Sequence, residues 1–251
     1  MLGLGKKEKA TIWQWEVAGK HPAARDFFAL GQRSLMAEAF TDWIRRGAES
    51  LVTISKDLLV RPCSWRFWAK TPQNGILACG VIRNSCDSVG RPFPLLVMGT
   101  GKLADWEENW ELLPFACEAL WYQMEQLASK NYASFELFHE DVSRLRPPLK
   151  DWQKMKLEKS VLAATDVSAI NFHFQPVSHE GDQTLLLPFQ DIGHYDFFAM
   201  ISSAHSQLKM KVSAVPNSLF IGGLIEQPGL AVFKRPLSGQ DFTRMWRPAQ
   251  Q

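Results

Sequence analysis

The sequence predicts an α/β protein in which a mixed sheet is covered by helices on both faces. Strand-length apolar segments alternate along the chain with amphipathic helical patterns, as expected of a layered fold. Two neighbouring strand-like segments are joined by a turn that contains Asn74 and Gly75, and this pair predicts an antiparallel hairpin. The ten tryptophans and sixteen phenylalanines supply a large aromatic core, because most of them have to be buried.

The N-terminal half is predicted to begin with a strand, since Trp13, Trp15 and Val17 alternate with polar residues. Residues 36–47 present one apolar stripe at helical spacing, so we expect an amphipathic helix there. Three further segments are strand-like and predict an antiparallel meander: residues 65–70, 76–83 and 93–98.

The C-terminal half is predicted to contain more helix. Residues 105–129 carry a broad apolar face, and Pro114 is expected to kink or split this helix. Residues 170–175 alternate apolar and polar side chains, which is typical of a half-buried strand. The remaining predicted elements are helices at 134–145, 149–162 and 194–210, strands at 184–187 and 219–221, and a short helix around Phe242, Met245 and Trp246.

We expect one domain that spans residues 1–251, because a chain of this length can bury one large core. The best boundary candidate lies between Arg146 and Leu149, where two consecutive prolines interrupt two helical patterns. Its apolar neighbours favour an internal turn over a linker. Residues 1–11 are charged, lack an apolar pattern and are expected to be flexible.

Composition and charge narrow the class of protein. The formal net charge of +2 gives no basic field that would favour nucleic-acid binding. No apolar run approaches the roughly 18–20 residues that cross a bilayer, and the first residues lack the apolar segment of a signal peptide. Four scattered cysteines are typical of a reducing compartment. We therefore expect a cytoplasmic protein that neither binds nucleic acid nor inserts into a membrane.

A glycine-rich segment from Gly99 to Ala104 has the pattern G-x-G-x-x-A between a predicted strand and a predicted helix. Such a turn can direct backbone N–H groups at a phosphate. A dinucleotide site also needs a second parallel strand and an acidic residue about 20 residues on, and no such strand follows. Two interpretations stay open: a turn without a ligand, or the phosphate- or nucleotide-binding site of an enzyme.

Other catalytic and metal-binding motifs are missing from the sequence, which contains no Cys-x-x-Cys, His-Glu-x-x-His or Gly-x-Ser-x-Gly pattern. His173, His179 and Asp191 are the nearest approach to a metal-ligand set, but dispersed histidines are usually structural. Sequence spacing leaves a Cys–His pair open, although nothing marks any of the four cysteines. We predict no catalytic residue, no metal and no cofactor.

Two loops, residues 19–27 and 85–94, are dense in charge, and each carries an Arg and an Asp beside glycine and proline. These charges either pair locally or form a recognition surface at one end of the sheet. The candidate partner-contacting residues are Lys20, Arg25, Asp26, Asp87, Ser88 and Arg91. The candidate residues that shape the loops are Gly19, Pro22, Gly90, Pro92 and Pro94.

The same loops carry a family resemblance. The segments G-K-x-P-A-x-R-D-F at 19–27 and D-S-V-G-R-x-F-P-L at 87–95 are similar to motifs of the TagF (ImpM) family of type VI secretion-associated proteins. W-R-F at 65–67, G-V-I at 80–82 and P-N-S-L-F-I-G-G at 216–223 support the resemblance, which covers about residues 12–250. The chain departs from the family at His21, which replaces an apolar residue, and at Ala24-Arg25-Asp26, which stands in place of Arg-Gly-Asp.

The resemblance implies a three-layer α/β/α sandwich and a regulatory function. It implies a cytoplasmic, non-enzymatic protein that represses type VI secretion assembly after translation. The implied partner is the forkhead-associated scaffold protein of that system, together with its threonine-phosphorylation control. Gly222 and Gly223 are implied to shape a C-terminal loop. A structural component of the secretion apparatus is a further alternative.

Overall fold

One antiparallel sheet of eight strands runs through the described residues of the computed structural model, which are 13–163, 172, 184–189 and 196–247. The strands are β1 Gln14–Gly19, β2 Phe28–Leu30, β3 Cys63–Lys70, β4 Ile76–Arg83, β5 Leu95–Lys102, β6 Thr184–Pro188, β7 Ser218–Leu224 and β8 Gln227–Phe233. They lie side by side in the order β2-β1-β5-β4-β3-β7-β8-β6, and every neighbouring pair is antiparallel.

The predicted mixed sheet is therefore wrong, whereas the predicted meander of β3, β4 and β5 is confirmed. The error has a topological cause. Each helical segment between two described strands connects strands that are not neighbours in the sheet, for example β2 to β3 and β5 to β6. Such connections place no pair of parallel strands side by side, although helices and strands alternate along the chain.

Six α-helices are present in the described residues: α1 Leu35–Ile54, α2 Leu113–Ser129, α3 Phe135–Ser143, α4 Trp152–Ala163, α5 Phe197–Lys211 and α6 Gly239–Met245. Ser34 is the N-cap of α1, and its hydroxyl oxygen accepts a hydrogen bond from the Ala37 N–H at 3.1 Å. The predicted kink at Pro114 is wrong, because Pro114 lies in the first turn of α2. Its missing N–H would have no partner at that position in any case. None of the described helices is both long and apolar enough to span a bilayer.

Alternate residues of the central strands feed two apolar clusters, one on each face of the sheet. On β4, Cys79 and Val81 belong to the cluster that includes residues of α2, α3, α4 and α5. Ala78 and Ile82 belong to the other cluster, which includes residues of α1 and α6. The α/β class is confirmed, and the full three-layer sandwich stays a prediction.

The helix predicted at 36–47 extends to Ile54, and the helix predicted at 105–129 begins only at Leu113. The other predicted elements agree with the structure to within a few residues, with two strands missed. These are β2 and β8. The predicted strand at 170–175 lies outside the described residues except for Phe172, and so do residues 1–11. The predicted turn near Leu149 is present between α3 and α4, where the Leu149 N–H donates to the Ala116 carbonyl at 2.9 Å. The single domain stays a prediction.

Candidate functional site

The two charged loops meet at a buried carboxylate. We call residues 19–27 and 85–94 together the loop junction. The side chain of Asp87 has no exposed surface, and its Oδ2 lies 2.9 Å from Lys20 Nζ and 2.7 Å from Arg91 Nε. Its Oδ1 accepts hydrogen bonds from the N–H groups of Val89 at 3.1 Å and Arg91 at 3.0 Å. One carboxylate thus ties its own loop into a turn and holds the other loop through Lys20.

Asp87 stays ionised in this position despite its burial. Burial by itself raises the pKa of Asp87, but the Arg91 N–H, the Lys20 ammonium, the Arg91 guanidinium and the Val89 N–H favour the charged form. Together they hold the pKa of this carboxyl well below its ordinary value. The ion pairs of the junction are therefore complete at any pH near neutrality.

Two hydrogen bonds to backbone carbonyls of the first loop join the two loops directly. The Ser88 N–H donates to the Ala24 carbonyl at 2.9 Å, and Arg91 Nη2 donates to the Arg25 carbonyl at 2.8 Å. Within the second loop, the Gly90 N–H donates to the Asp87 carbonyl at 2.9 Å. The junction is consequently restrained by main-chain and side-chain contacts together.

Two glycines of the junction have positive φ angles that other residues rarely adopt. Gly90 has φ 83° at the turn of the second loop. Gly19 has φ 130°, and a Cβ there would lie 2.2 Å from the Pro94 carbonyl oxygen. A side chain at Gly19 would therefore push the two loops apart.

The outer surface of the junction is a mixture of charge and apolar area. Six of its exposed residues are called the junction rim: Arg25, Asp26, Phe27, Ser88, Val89 and Arg91. Val89 is 69% exposed and Phe27 is 46% exposed, with the Phe27 ring set edge-on against Phe93 at 5.6 Å. Local pairing is present between Asp87 and Arg91 at 2.7 Å, whereas Asp26 lies 3.3 Å from Arg91 of the other loop and forms no ion pair with its neighbour Arg25 in the described residues.

The predicted contact residues thus divide into two groups. Lys20 and Asp87 lie inside the junction and position it, whereas Arg25, Asp26, Ser88 and Arg91 face outward. Among the predicted loop-shaping residues, Pro22 and Pro92 are exposed and Pro94 is buried. The sequence did not single out Phe27 and Val89 as contact residues, because an apolar residue in a loop is usually buried.

The resemblance implied that Gly222 and Gly223 shape a loop, but both residues lie within β7. Their φ angles are 126° and 119°. A Cβ on Gly222 would lie 2.2 Å from the Ser64 carbonyl oxygen on the neighbouring strand. This close approach of two backbones explains a glycine inside a strand.

His21 occupies the family's apolar position as a neutral ring. It is buried, and its ring centroid lies 4.6 Å from that of Phe138 and 5.7 Å from that of Tyr132. Burial, followed by the positive charge of Arg83, lowers the pKa of His21 to about 4. The Ala23 N–H donates to its Nδ1 at 3.1 Å, so the ring also supports the bend of the first loop.

The segment from Gly99 to Ala104 does not form the predicted strand-to-helix turn, because β5 continues through Lys102. The glycines have a packing role instead. A Cβ on Gly99 would lie 2.1 Å from the Trp15 ring, and one on Gly101 would lie 2.5 Å from the Trp13 ring. These glycines make room for two stacked indoles, and the predicted strand-to-helix turn is wrong.

Within the described residues the cysteines form neither a disulfide nor a metal-binding group. All four cysteines are free, and Cys63, Cys79 and Cys117 are buried. Burial raises the pKa of Cys63 to about 12, and burial and the contact with Cys79 raise the pKa of Cys117 well above its ordinary value. No group of three His, Cys, Asp or Glu residues could hold a metal within this part of the chain. His173, His179 and Asp191 lie outside it.

A groove of about 680 Å³ adjoins the junction and was not predicted from the sequence. It lies between the C-terminal end of α2 and the ends of β3, β4 and β7, and the second loop forms part of its wall. Its lining includes Arg61, Arg66 and Arg83. Arg66 belongs to the W-R-F segment of the resemblance, but no motif joins the three arginines, because they come from separate elements that only the fold brings together.

Comparison with known proteins gives a family and a fold. A family model described as the TagF N-terminal domain, type VI secretion system-associated, matches residues 17–145, just over half of the chain. The crystal structure of PA0076 from Pseudomonas aeruginosa PAO1 at 2.05 Å resolution is similar, with a TM-score of 0.57 and 17% sequence identity. The match covers 92% of this chain and 93% of that one, and at this identity it supports the fold alone. The comparison with curated proteins gives no match.

Proposed function

This chain belongs to the TagF family of type VI secretion-associated proteins, and on that premise we propose that it is a non-enzymatic repressor of type VI secretion assembly. It acts after translation, in the cytoplasm, by binding a protein. The partner is the forkhead-associated scaffold protein of the secretion system. The chain would hold this scaffold in a complex that does not support assembly.

The single observation that carries the proposal is the restrained loop junction with its exposed rim. The buried Asp87 and the loop-to-loop hydrogen bonds fix the rim before any partner arrives. A surface that is already ordered loses little conformational entropy on binding, so more of the contact energy contributes to affinity. Arginine and aromatic side chains are the ones that most often dominate interface energies, and the rim presents Arg91 and Phe27.

The chemistry of the described residues supports binding over catalysis. The thiols of Cys63 and Cys117 have pKa values raised by burial and stay protonated near neutral pH, where a thiol is a poor nucleophile. The buried carboxylate of Asp87 is occupied by Lys20 and Arg91. A group committed to ion pairs in this way is poorly placed to exchange protons with a substrate.

The experiment is a quantitative capture assay with the purified forkhead-associated protein. Replacing Phe27 and Val89 together by serine removes the apolar part of the rim and leaves the ion pairs of Asp87 intact. We expect binding to weaken at least about tenfold. A matched control replaces Leu35 and Val52, two exposed apolar residues of α1, by serine.

Equal capture of the wild type and the rim variant would remove the rim from the interface. No capture by the wild type would overturn the choice of partner. A structural component of the apparatus would instead copurify with the assembled machine at a fixed ratio, and that result would replace the repressor proposal.

A further inference from the structure

The floor of the groove is made by the ends of three strands. Arg83 ends β4 and lies opposite Ser64 of β3, and Ser64 lies opposite Gly223 of β7. The hydroxyl oxygen of Ser64 is buried and has no hydrogen-bond partner among the described residues. Glu125 of α2 forms part of one wall. The groove therefore holds polar groups that its own walls do not fully satisfy.

Two of the three arginines in the groove are paired. Arg66 binds Glu118 and Glu125, each at 2.8 Å, and Arg61 lies 3.6 Å from Glu226. Arg83 makes no ion pair or hydrogen bond through its side chain within the part of the chain that the structure describes. Among the described residues, the half-buried guanidinium of Arg83 is thus left without a counter-charge.

Within the described part of the chain, neither His21 nor Glu125 supplies Arg83 with a counter-charge. His21 lies near enough for the charge of Arg83 to act on it, and this ring is neutral at pH 7, because burial and then Arg83 lower its pKa to about 4. Glu125 accepts two hydrogen bonds of 2.8 Å from the Arg66 guanidinium, one from Nε and one from Nη2. A bidentate pair of this kind is difficult to share with a third group.

Aliphatic side chains border the same groove. Val60 is 69% exposed and Ile225 is 73% exposed, and both line it. The volume of about 680 Å³ is that of a site for several side chains, not for one small ion. A ligand that matches the groove combines an anionic group with apolar groups on either side.

We propose that the groove binds a short segment of a protein partner in which an Asp or Glu side chain, flanked by aliphatic residues, pairs with Arg83. The carboxylate would accept two hydrogen bonds from the planar guanidinium, and the flanking residues would contact Val60 and Ile225. This inference rests on the proposed function, since it assumes that the chain acts by binding a protein. The groove opens beside Gly90 and Pro92 of the second loop, so one partner could cover the groove and the junction rim together.

The first experiment measures the affinity of the forkhead-associated protein for the full chain and its Arg83 variants. Arg83→Gln is expected to weaken binding at least about tenfold, since a charge-assisted hydrogen bond is lost. Arg83→Lys should give an intermediate affinity, because lysine keeps the charge but loses the planar fork. Arg33→Gln is the matched control, with the same change of charge at an exposed residue outside the groove.

The variants should fold normally, because Arg83→Gln removes no ion pair, and circular dichroism melting curves check this point. Wild-type binding that Arg83→Gln leaves unchanged would overturn the groove inference and leave the proposed function standing. Failure of the wild type to bind would overturn the proposed partner, and a second experiment then decides on the groove alone.

That second experiment titrates the isotope-labelled full chain with two capped tripeptides, Leu-Glu-Leu and Leu-Gln-Leu, at millimolar concentration. We expect the amide signals of Ser64 and Gly223 and the Arg83 side-chain signal to shift with the glutamate peptide, and to shift much less with the glutamine peptide. No shift with either peptide would overturn the inference. Equal shifts with inorganic phosphate would identify a phosphate site instead, and a dimer abolished by Arg83→Gln would identify a second copy as the occupant.

Discussion

Acidification from pH 7 to pH 5 is expected to destabilise the fold through the buried imidazole of His205. This residue of α5 has no exposed surface. Its Nδ1 lies 2.8 Å from the Ile201 carbonyl oxygen, and the Trp68 indole N–H donates to its Nε2 at 3.4 Å. These partners fit a neutral ring with its proton on Nδ1. Burial lowers the pKa of His205 to about 4, and the hydrogen bond to Ile201 opposes this shift without cancelling it.

The size of the effect follows from the two pKa values. The unfolded chain binds the proton first as the pH falls, because the pKa of a free histidine is 6.5 and that of His205 is lower. This contribution to the free energy of unfolding is therefore complete above pH 6.5 and is lost as the pH falls towards 4. Between pH 7 and pH 5 the loss amounts to about 2 kcal/mol.

Urea unfolding followed by tryptophan fluorescence at both pH values measures this loss. His205→Gln removes the titrating group and should reduce the difference between pH 7 and pH 5 by about 2 kcal/mol. His139→Gln makes the same substitution at an exposed histidine and is the control. His21 is unchanged in all three proteins, so its own pH dependence cancels. An equal pH-dependent loss in the wild type and in His205→Gln would refute the reasoning.

Three further predictions concern packing and ion pairs. Gly99→Ala should lower the free energy of unfolding by about 1–3 kcal/mol because its Cβ would enter an indole ring, whereas Gly239→Ala, with open space around it, should have little effect in the same urea titration. Arg66→Ala should lower the free energy of unfolding by about 1–3 kcal/mol because it leaves two glutamates unpaired. The control Arg144→Ala, at an exposed arginine, should lower it by less than about 1 kcal/mol, and equal losses for the two variants would contradict this prediction. Asp87→Asn should speed amide hydrogen exchange in both loops of the junction, and an effect confined to residues 85–94 would contradict the coupling of the loops.

The sequence predicted best those elements whose signals are local. The hairpin of β3 and β4 was found because Asn74 and Gly75 mark its turn between two apolar runs. The hairpin of β7 and β8 was missed because its turn consists of Ile225 and Glu226, which are not typical turn residues. Gly99 was wrongly predicted to lie in a turn, because a sequence does not distinguish a glycine that makes room for an indole from a glycine in a turn.

The candidate site was predicted in its residues but not in its contacts. The two loops were found because charge, glycine and proline are dense in each of them. That Lys20 binds Asp87 while Arg25 faces outward depends on how the sheet brings the loops together, and a single sequence carries no such signal. Arg83 was not predicted as a site residue either, because only the fold shows that its side chain has no ion-pair partner among the described residues.

The edges of the eight-stranded sheet bear on how copies of this protein coexist at high concentration. Within the described residues the outermost strands are β2, with three residues, and β6, which ends in Pro188. A short border strand offers few free main-chain donors and acceptors to a neighbouring molecule, and proline removes a donor from the other border. Such borders disfavour edge-to-edge pairing between the sheets of two molecules, which keeps a wide antiparallel architecture from templating fibrils.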